Sequence, residues 1–204
     1  MKLYEYNPFP NPRRVRMFLA EKGIENVELV QIDVPSGEHR KEEFIKKNPS
    51  AVVPLLELDD GTCISESFAI SRYFESAYPK PYLMGTTPKE SAVIDMWQRR
   101  VEQSLMGCVS TYFHQATEGL GALELYQNKD WGEKNREMAR SGLEQLDKQL
   151  ATNKYVAGDT YSIADITALC AIDFALFIKI EKLEDYPNIN RWYDEVSKRP
   201  SASA

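Results

Sequence analysis

The sequence is poor in the residues that most often bind metals or carry nucleophilic catalysis. Its 204 residues include only two histidines, His39 and His114, and three cysteines, Cys63, Cys108 and Cys170. The cysteines form no Cys-x-x-Cys pair, which argues against a thioredoxin-type redox pair, a zinc or other metal site, or a disulfide framework. Any chemistry that requires an imidazole must use one of the two histidines.

An excess of basic charge and long apolar runs are also missing. The 25 lysines and arginines face 31 acidic residues, for a formal net charge of −6, and this balance argues against a nucleic-acid partner. No apolar stretch approaches the ~18 residues of a membrane-spanning helix, and the first residues lack the apolar segment of a secretory signal. We therefore expect a cytoplasmic protein with no membrane partner.

The composition changes near residue 80, which predicts two domains. Short strand-like and helical runs alternate over residues 1–79, whereas the apolar spacing over residues 89–204 is almost entirely helical. The intervening segment, 80–88, is rich in proline and glycine, as linkers often are. Residues 1–79 and 89–204 are thus predicted to fold as an α/β domain and an all-helical domain.

The first domain has the order βαβ followed by ββα, which is typical of a small thioredoxin-like fold. Strands are predicted over 2–6, 27–32, 52–58 and 62–64, and helices from Asn11 to residue 22, over 42–46 and over 68–77. Asn11 is predicted to cap the first helix, with Pro12 in its first turn.

The second domain begins with a long helix from about residue 89 to beyond His114. Asp130 is predicted to cap the next helix. Ser162 and Asp165 form a capping box ahead of a very apolar helix over 166–180, and a final helix follows Pro187.

Three groups of polar residues could bind a ligand, and each also has a structural explanation. Pro54 could enter a strand through a cis peptide bond that turns the backbone of Val53 outward to an extended ligand, or it could be an edge-strand proline. The start of the helix at Ser67, with Glu66 beside it, suits the carboxylate and ammonium groups of an α-amino acid end, or the serine could simply cap the helix. His39 and Arg40 lie in a polar loop that is expected to be solvated, but could hold a second carboxylate.

A fourth group lies on the long helix. Ser110 and His114 are four residues apart, so both can reach the same substrate atom or bound water. A serine hydrolase dyad is disfavoured because the pair lacks an orienting aspartate and a strained nucleophile turn. The alternative is a histidine packed at a domain interface.

Taken together, the motifs resemble those of the glutathione transferases over essentially the whole chain. They are Arg14-Val15-Arg16, Asn48-Pro49, Val53-Pro54, Glu66-Ser67-Phe68, Val156-Ala157-Gly158-Asp159 and Ser162-Ile163-Ala164-Asp165. The stretches Gly37-Glu38-His39 and Tyr112-Phe113-His114-Gln115-Ala116-Thr117 are similar to those of a fungal and bacterial subclass of that family.

The resemblance implies a glutathione-binding domain docked on a helical domain, usually in a homodimer, with glutathione as co-substrate and no permanently bound cofactor. It implies that Val53 pairs with the cysteinyl part of glutathione and that Pro54 is the cis proline. Glu66 and Ser67 would bind the γ-glutamyl end, and His39, with Arg40, the glycyl carboxylate. Many relatives have a Lys or Gln contact at the position of Val52, and that contact is missing here.

The residue that usually activates the thiol is also missing. Most of the family uses a Tyr, Ser or Cys just after the first strand, but residues 7–16 contain none of these. In the similar subclass a serine and a histidine one turn apart position a water against the sulfur, and these would be Ser110 and His114. The electrophile would then bind in the interdomain cleft, lined by Phe9 and by a single face of the long helix that carries Ser110, Tyr112, Phe113 and His114.

The function implied is the transfer of the glutathione thiolate to small apolar electrophiles, as in detoxification. Two alternatives remain open: a non-catalytic binding protein of the same fold, and a glutathione-dependent peroxidase, because the same thiolate would serve it.

Overall fold

The structure, a computed structural model, describes residues 1–180 and 182–204. These residues divide into two compact units, Met1–Pro81 with Ser203–Ala204, and Tyr82–Ala202. Within the described ranges, no helix combines the length and the apolar character needed to span a bilayer.

The first unit is built on a four-stranded mixed sheet in the order β2-β1-β3-β4. Its strands are β1 (Lys2–Glu5), β2 (Glu28–Gln31), β3 (Leu55–Glu57) and β4 (Cys63–Ser65), and its helices are α1 (Pro10–Lys22), α2 (Glu42–Ile45) and α3 (Ser67–Ala77). β1 runs parallel to β2 and antiparallel to β3, which pairs antiparallel with β4. The thioredoxin-like fold predicted from the sequence is therefore confirmed.

Apolar side chains from the sheet, α1 and α3 form the core of this unit. Leu3, Val15, Phe18, Ile70 and Phe74 are completely buried. Their burial supplies the main stabilisation, at about 1.5–3 kcal/mol for each large apolar side chain.

A buried ion pair fixes the segment between β1 and α1. The Glu5 carboxylate pairs with the Arg16 guanidinium, and both side chains are almost inaccessible to solvent. Arg16 also donates to the backbone carbonyl of Asn7 at 2.8 Å, and Gln31 donates to Glu5 at 2.5 Å. Since each charge has further partners, the pair holds the turn at Asn7 in one position.

The start of α1 differs from the prediction. Phe9, not Asn11, occupies the capping position, and no side chain caps the helix. Asn11 lies inside the first turn, where its side chain accepts a hydrogen bond from Arg14 at 3.1 Å. Pro10 and Pro12 have no N–H, so two of the donors that a cap would satisfy do not exist.

The second unit is helical. Its helices are α4 (Pro88–Val101), α5 (Gly107–Ala116), α6 (Lys129–Leu150), α7 (Ile163–Phe177) and α8 (Pro187–Val196). α4 and α5 are joined without a break by a π-helical turn, Glu102–Met106. The long helix predicted from the sequence thus exists, but its hydrogen bonding changes in the middle.

The central helix α7 is capped as predicted. The Ser162 side chain accepts hydrogen bonds from backbone N–H groups of the first turn, and the Asp165 side chain accepts one from the Ser162 N–H. Together they form a capping box. Asp165 is fully buried and also accepts from the Val156 N–H and the Trp192 indole, both at 2.9 Å. Burial raises the pKa of Asp165 to about 6, and these donors limit the rise.

The cap of α6 was predicted at the wrong residue. Asn128 caps this helix, its side chain accepting from the Trp131 N–H at 3.0 Å, while Asp130 lies within the first turn. Asp130 still suits that place, because acidic side chains favour the positive end of a helix.

Candidate functional site

In the first unit, the loop before β3 presents an open strand-like backbone at Val53. The Val53–Pro54 peptide bond is cis. Asn48, which is buried, fixes the approach to it by donating to the Val52 carbonyl at 2.8 Å and accepting from the Ser50 N–H at 3.2 Å. Neither the N–H nor the carbonyl of Val53 has a hydrogen-bond partner among residues 1–180 and 182–204. Both groups can therefore bind an extended ligand.

The start of α3 brings a free carboxylate and a helix N-terminus together. Glu66 is exposed and has a left-handed φ of 69° at the capping position, although it is not glycine. Ser67 is buried, and its hydroxyl donates to the Asn11 carbonyl at 3.0 Å. The Ser67 oxygen can still accept a hydrogen bond, and the backbone N–H groups of the first turn face outward to an anion.

His39 is buried, whereas the sequence predicts a solvated loop. It lies in a short 3₁₀ turn, Glu38–Arg40, and its side chain and backbone together are 5% exposed. Its Nδ1 is buried without a partner among the described residues. Burial, and secondarily the charge of Arg40, lower the pKa of His39 below its ordinary 6.5. Arg40 itself is exposed.

In the second unit, α5 carries Ser110 and His114. Both side chains are half-buried, and the Ser110 hydroxyl has no partner in the part of the chain that the structure describes. Residues four apart on a helix are separated by about 40° around its axis, so the two side chains leave α5 on the same side.

His114 does have an orienting carboxylate, contrary to the sequence interpretation. Its Nδ1 lies 2.6 Å from Oε1 of Glu124, which follows the end of α5. The same oxygen accepts from the Leu120 N–H at 2.9 Å. Sequence reasoning missed this partner because the two residues are ten positions apart and connected by an irregular loop.

The apolar residues predicted around the electrophile have different surroundings. Phe113 packs edge-on against Phe174 of α7 and against the His114 ring, with centroids 5.3 and 5.0 Å apart. Tyr112 lies about 200° around α5 from Ser110, and its ring is covered by the Arg136 guanidinium of α6. The single face predicted for Ser110, Tyr112, Phe113 and His114 therefore does not include Tyr112.

Phe9 lies in the first unit, at the capping position of α1. It is half-buried and packs edge-on against Tyr6, with ring centroids 4.8 Å apart. The Asn11 N–H, in the first turn of α1, has no partner among the described residues. Because Pro10 and Pro12 lack an N–H, this amide is the donor that the extreme end of α1 offers to an anion.

Cys63 and Cys108 lack the lowered pKa of a reactive thiol. Burial raises the pKa of the Cys108 thiol, and burial together with the nearby Glu57 raises that of Cys63. Reactive cysteines have a lowered pKa. Cys170 is buried in α7.

Family models and a close relative identify the family of this chain. Models described as the N-terminal and C-terminal domains of glutathione S-transferase match residues 10–77 and 102–200. "Glutathione S-transferase 2" of Saccharomyces cerevisiae is 45% identical over 98% of this chain and 87% of its own length. The chain belongs to the glutathione S-transferase family.

Solved structures agree as well. The crystal structure of Gtt2 from S. cerevisiae superimposes with a TM-score of 0.96 at 44% identity, covering 100% of this chain and 99% of that one. A glutathione S-transferase domain-containing protein from Marinobacter aquaeolei also has a TM-score of 0.96, at 47% identity, covering 98% and 99%. The chain is thus similar to Gtt2-type transferases along its whole length.

Proposed function

We propose that this protein is a glutathione transferase that binds glutathione in its thioredoxin-like unit and adds the thiolate to small apolar electrophiles. The observation that carries the proposal is the 45% identity, over 98% of the chain, to a protein named for this activity. The relatives that are named glutathione S-transferases support conjugation rather than a non-catalytic binding protein or a peroxidase.

The open polar groups of the first unit correspond to the parts of the tripeptide. Glutathione has an ammonium and a carboxylate at its γ-glutamyl end, a backbone in the middle and a second carboxylate at its glycyl end. In this proposal Glu66 binds the ammonium and Ser67 the adjacent carboxylate. Val53 pairs with the cysteinyl backbone, and His39 with Arg40 binds the glycyl carboxylate. The unsatisfied Nδ1 of His39 supports this last role.

The thiol must then be held as its anion. A free thiol of this type has a pKa near 8.5, so lowering it by about two units requires ~2.7 kcal/mol of preferential stabilisation of the thiolate. One or two hydrogen bonds to a charged acceptor, at ~1.5–3 kcal/mol each, are sufficient. We propose two sources for these hydrogen bonds. One is a water held by Ser110 and His114, and the other is the N-terminal end of α1.

In the transfer step, the thiolate sulfur forms a bond to the electrophilic carbon. With an aryl halide, the electron pair of the carbon–halogen bond leaves with the halide. Phe9 and Phe113 are proposed to provide apolar contacts for the ring. We further propose that the protein is a cytoplasmic homodimer acting in detoxification.

The two histidines allow these roles to be tested separately. With glutathione and an activated chlorodinitrobenzene, His114→Ala should lower kcat at least about tenfold and leave the KM for glutathione nearly unchanged, because it removes a group that acts on the thiolate. His39→Ala is the matched control, since it should raise that KM and largely preserve kcat. An unchanged kcat in His114→Ala would remove His114 from the mechanism.

A further inference from the structure

The loop after α5 returns to the end of that helix and is fixed there by several hydrogen bonds. The Gln127 side chain donates to the carbonyls of His114 and Thr117 at 2.7 and 2.8 Å. The Asn128 N–H donates to the Gln115 side chain at 2.7 Å. The Thr117 hydroxyl donates to the Phe113 carbonyl at 2.6 Å. The loop is thus an ordered extension of α5, and it brings Glu124 to the His114 ring.

Within this loop, the Glu124 carboxylate has one defined position. Its Oε1 accepts from the Leu120 N–H at 2.9 Å, and the side chain is only 13% exposed. Gly119, with φ of +53°, leaves the space for it, since a Cβ at that residue would collide with the carboxylate. The backbone therefore holds Oε1 in place before the contact with the imidazole is considered.

The contact with Nδ1 determines where the proton of a neutral His114 lies. An ionised carboxylate only accepts hydrogen bonds, so at 2.6 Å from Oε1 the Nδ1 must carry a proton. In a neutral imidazole the other nitrogen, Nε2, is then an acceptor.

We propose that Glu124 is a positioning residue, which fixes the ring of His114 and keeps Nε2 as its proton acceptor. This inference rests on the proposed role of His114 at the glutathione thiol. With Nε2 unprotonated, a water between it and the sulfur can accept the thiol proton and pass one to Nε2. The thiol becomes a thiolate, the imidazole becomes an imidazolium, and Glu124 stabilises that cation. With the opposite tautomer, Nε2 would be a donor and could not take the proton.

Substitutions at Glu124 separate the hydrogen bond from the charge. Both polar contacts of the carboxylate use the same oxygen, so Glu124→Gln can keep them with its carbonyl. Glu124→Leu has no acceptor, and Glu124→Asp withdraws the carboxylate by one methylene. We expect Glu124→Leu and Glu124→Asp to lower kcat about tenfold with the KM for glutathione within about twofold, and Glu124→Gln to restore most of the rate.

The tautomer can be observed directly, because the chain has only two histidines. Protein labelled with ¹⁵N-histidine, at a pH where the rings are neutral, should show Nδ1–H for His114 in the wild type and in Glu124→Gln. Glu124→Leu and Glu124→Asp should lose that preference, and a His39→Ala sample assigns the two rings. A wild-type Nε2–H tautomer, or an unchanged tautomer in Glu124→Leu, would overturn the proposal.

A double substitution distinguishes this inference from the proposed function. If Glu124 acts through His114, Glu124→Leu should have no further effect on kcat in a His114→Ala background. An equal further loss there would contradict a positioning role. If His114→Ala left kcat unchanged, the proposed function of His114 would fail, while the NMR spectra would still decide whether Glu124 orients the ring.

Discussion

At the scale of single residues, His39 is a nearly fully buried imidazole with an unsatisfied ring nitrogen, Nδ1. A buried polar atom without a partner costs about 1–3 kcal/mol. A ligand carboxylate at Nδ1 would remove that cost, and it would also favour the protonated ring. The binding of glutathione should therefore be coupled to the uptake of a proton.

The sign of this coupling follows from the two states of His39. In the free protein its pKa lies below 6.5 because of burial and Arg40, and a bound carboxylate raises it. We expect proton uptake between these two pKa values, with affinity falling as the pH rises through that interval. Calorimetry in buffers of different ionisation enthalpy measures this proton uptake. S-methylglutathione has no thiol to ionise, so its use isolates the contribution of His39.

His39→Gln is the control for the same measurement, since glutamine keeps a polar side chain that does not titrate. Proton uptake should disappear in this variant. Uptake that is absent in the wild type, or equally large in His39→Gln, would show that His39 does not meet the glycyl carboxylate.

The burial of His39 also shows that the exposure of a side chain cannot always be predicted from its neighbours in the sequence. Its neighbours in sequence include Glu38, Arg40 and Lys41, so the local pattern indicates a solvated loop. Burial is decided by the packing of the turn against the rest of the unit, which the local sequence does not encode. The same holds for Glu124, whose contact with His114 depends on the path of a loop.

At the scale of helices, the start of α7 depends on one carboxylate. Asp165 accepts from the backbone N–H groups of Val156 and Ser162 and from the Ser162 hydroxyl and the Trp192 indole. It thereby joins the segment before α7 to α8. Because each of these groups is a donor, they require an ionised acceptor, which a pKa of about 6 provides at neutral pH.

Asp165→Asn should therefore be strongly destabilising although it preserves the size of the side chain. Its amide N–H₂ would face N–H donors, leaving buried groups unsatisfied, and we expect a loss of roughly 3 kcal/mol in the free energy of unfolding. Ser162→Ala, which removes only the cap hydroxyl, should cost about 1 kcal/mol. Urea denaturation measures both, and equal losses in the two variants would contradict this explanation.

Helix boundaries were predictable where the signal is local. The Ser162–Asp165 capping box is predictable from four residues because both partners lie within that motif. The sequence misplaces the caps at Asn11 and Asp130 because several residues near each helix start could serve. Which of them does so depends on where the chain turns into the helix.

At the scale of the whole molecule, the charge of −6 must be reconciled with an anionic ligand. Among the candidate groups for glutathione, Arg40 and the start of α3 at Ser67 provide positive potential locally, and His39 adds a charge when it takes up a proton. Fixed local charges and backbone dipoles can attract an anion to a protein that is acidic overall. An overall negative charge repels a long polyanion more strongly than it repels a tripeptide.

The proposed homodimer can be tested on the intact chain. Light scattering coupled to size-exclusion chromatography should give about 47 kDa, twice the 23.4 kDa of one chain. The mass should not change in 0.5 M salt if apolar contacts dominate the interface, since salt at about that concentration screens surface charges over a few ångströms. A mass of one chain at micromolar concentration would contradict the dimer.

The π-helical turn between α4 and α5 has a consequence for insertions and deletions. A π-helical turn amounts to one extra residue accommodated in an α-helix. Because the turn absorbs that extra residue, removing one residue from Glu102–Met106 would let α4 and α5 continue as ordinary α-helix in nearly the same orientation. Ser110 and His114 would then still leave α5 on nearly the same side, whereas a residue lost from an ordinary α-helix turns everything after it by about 100°. The direction of this pair is thus protected against a one-residue deletion in the turn.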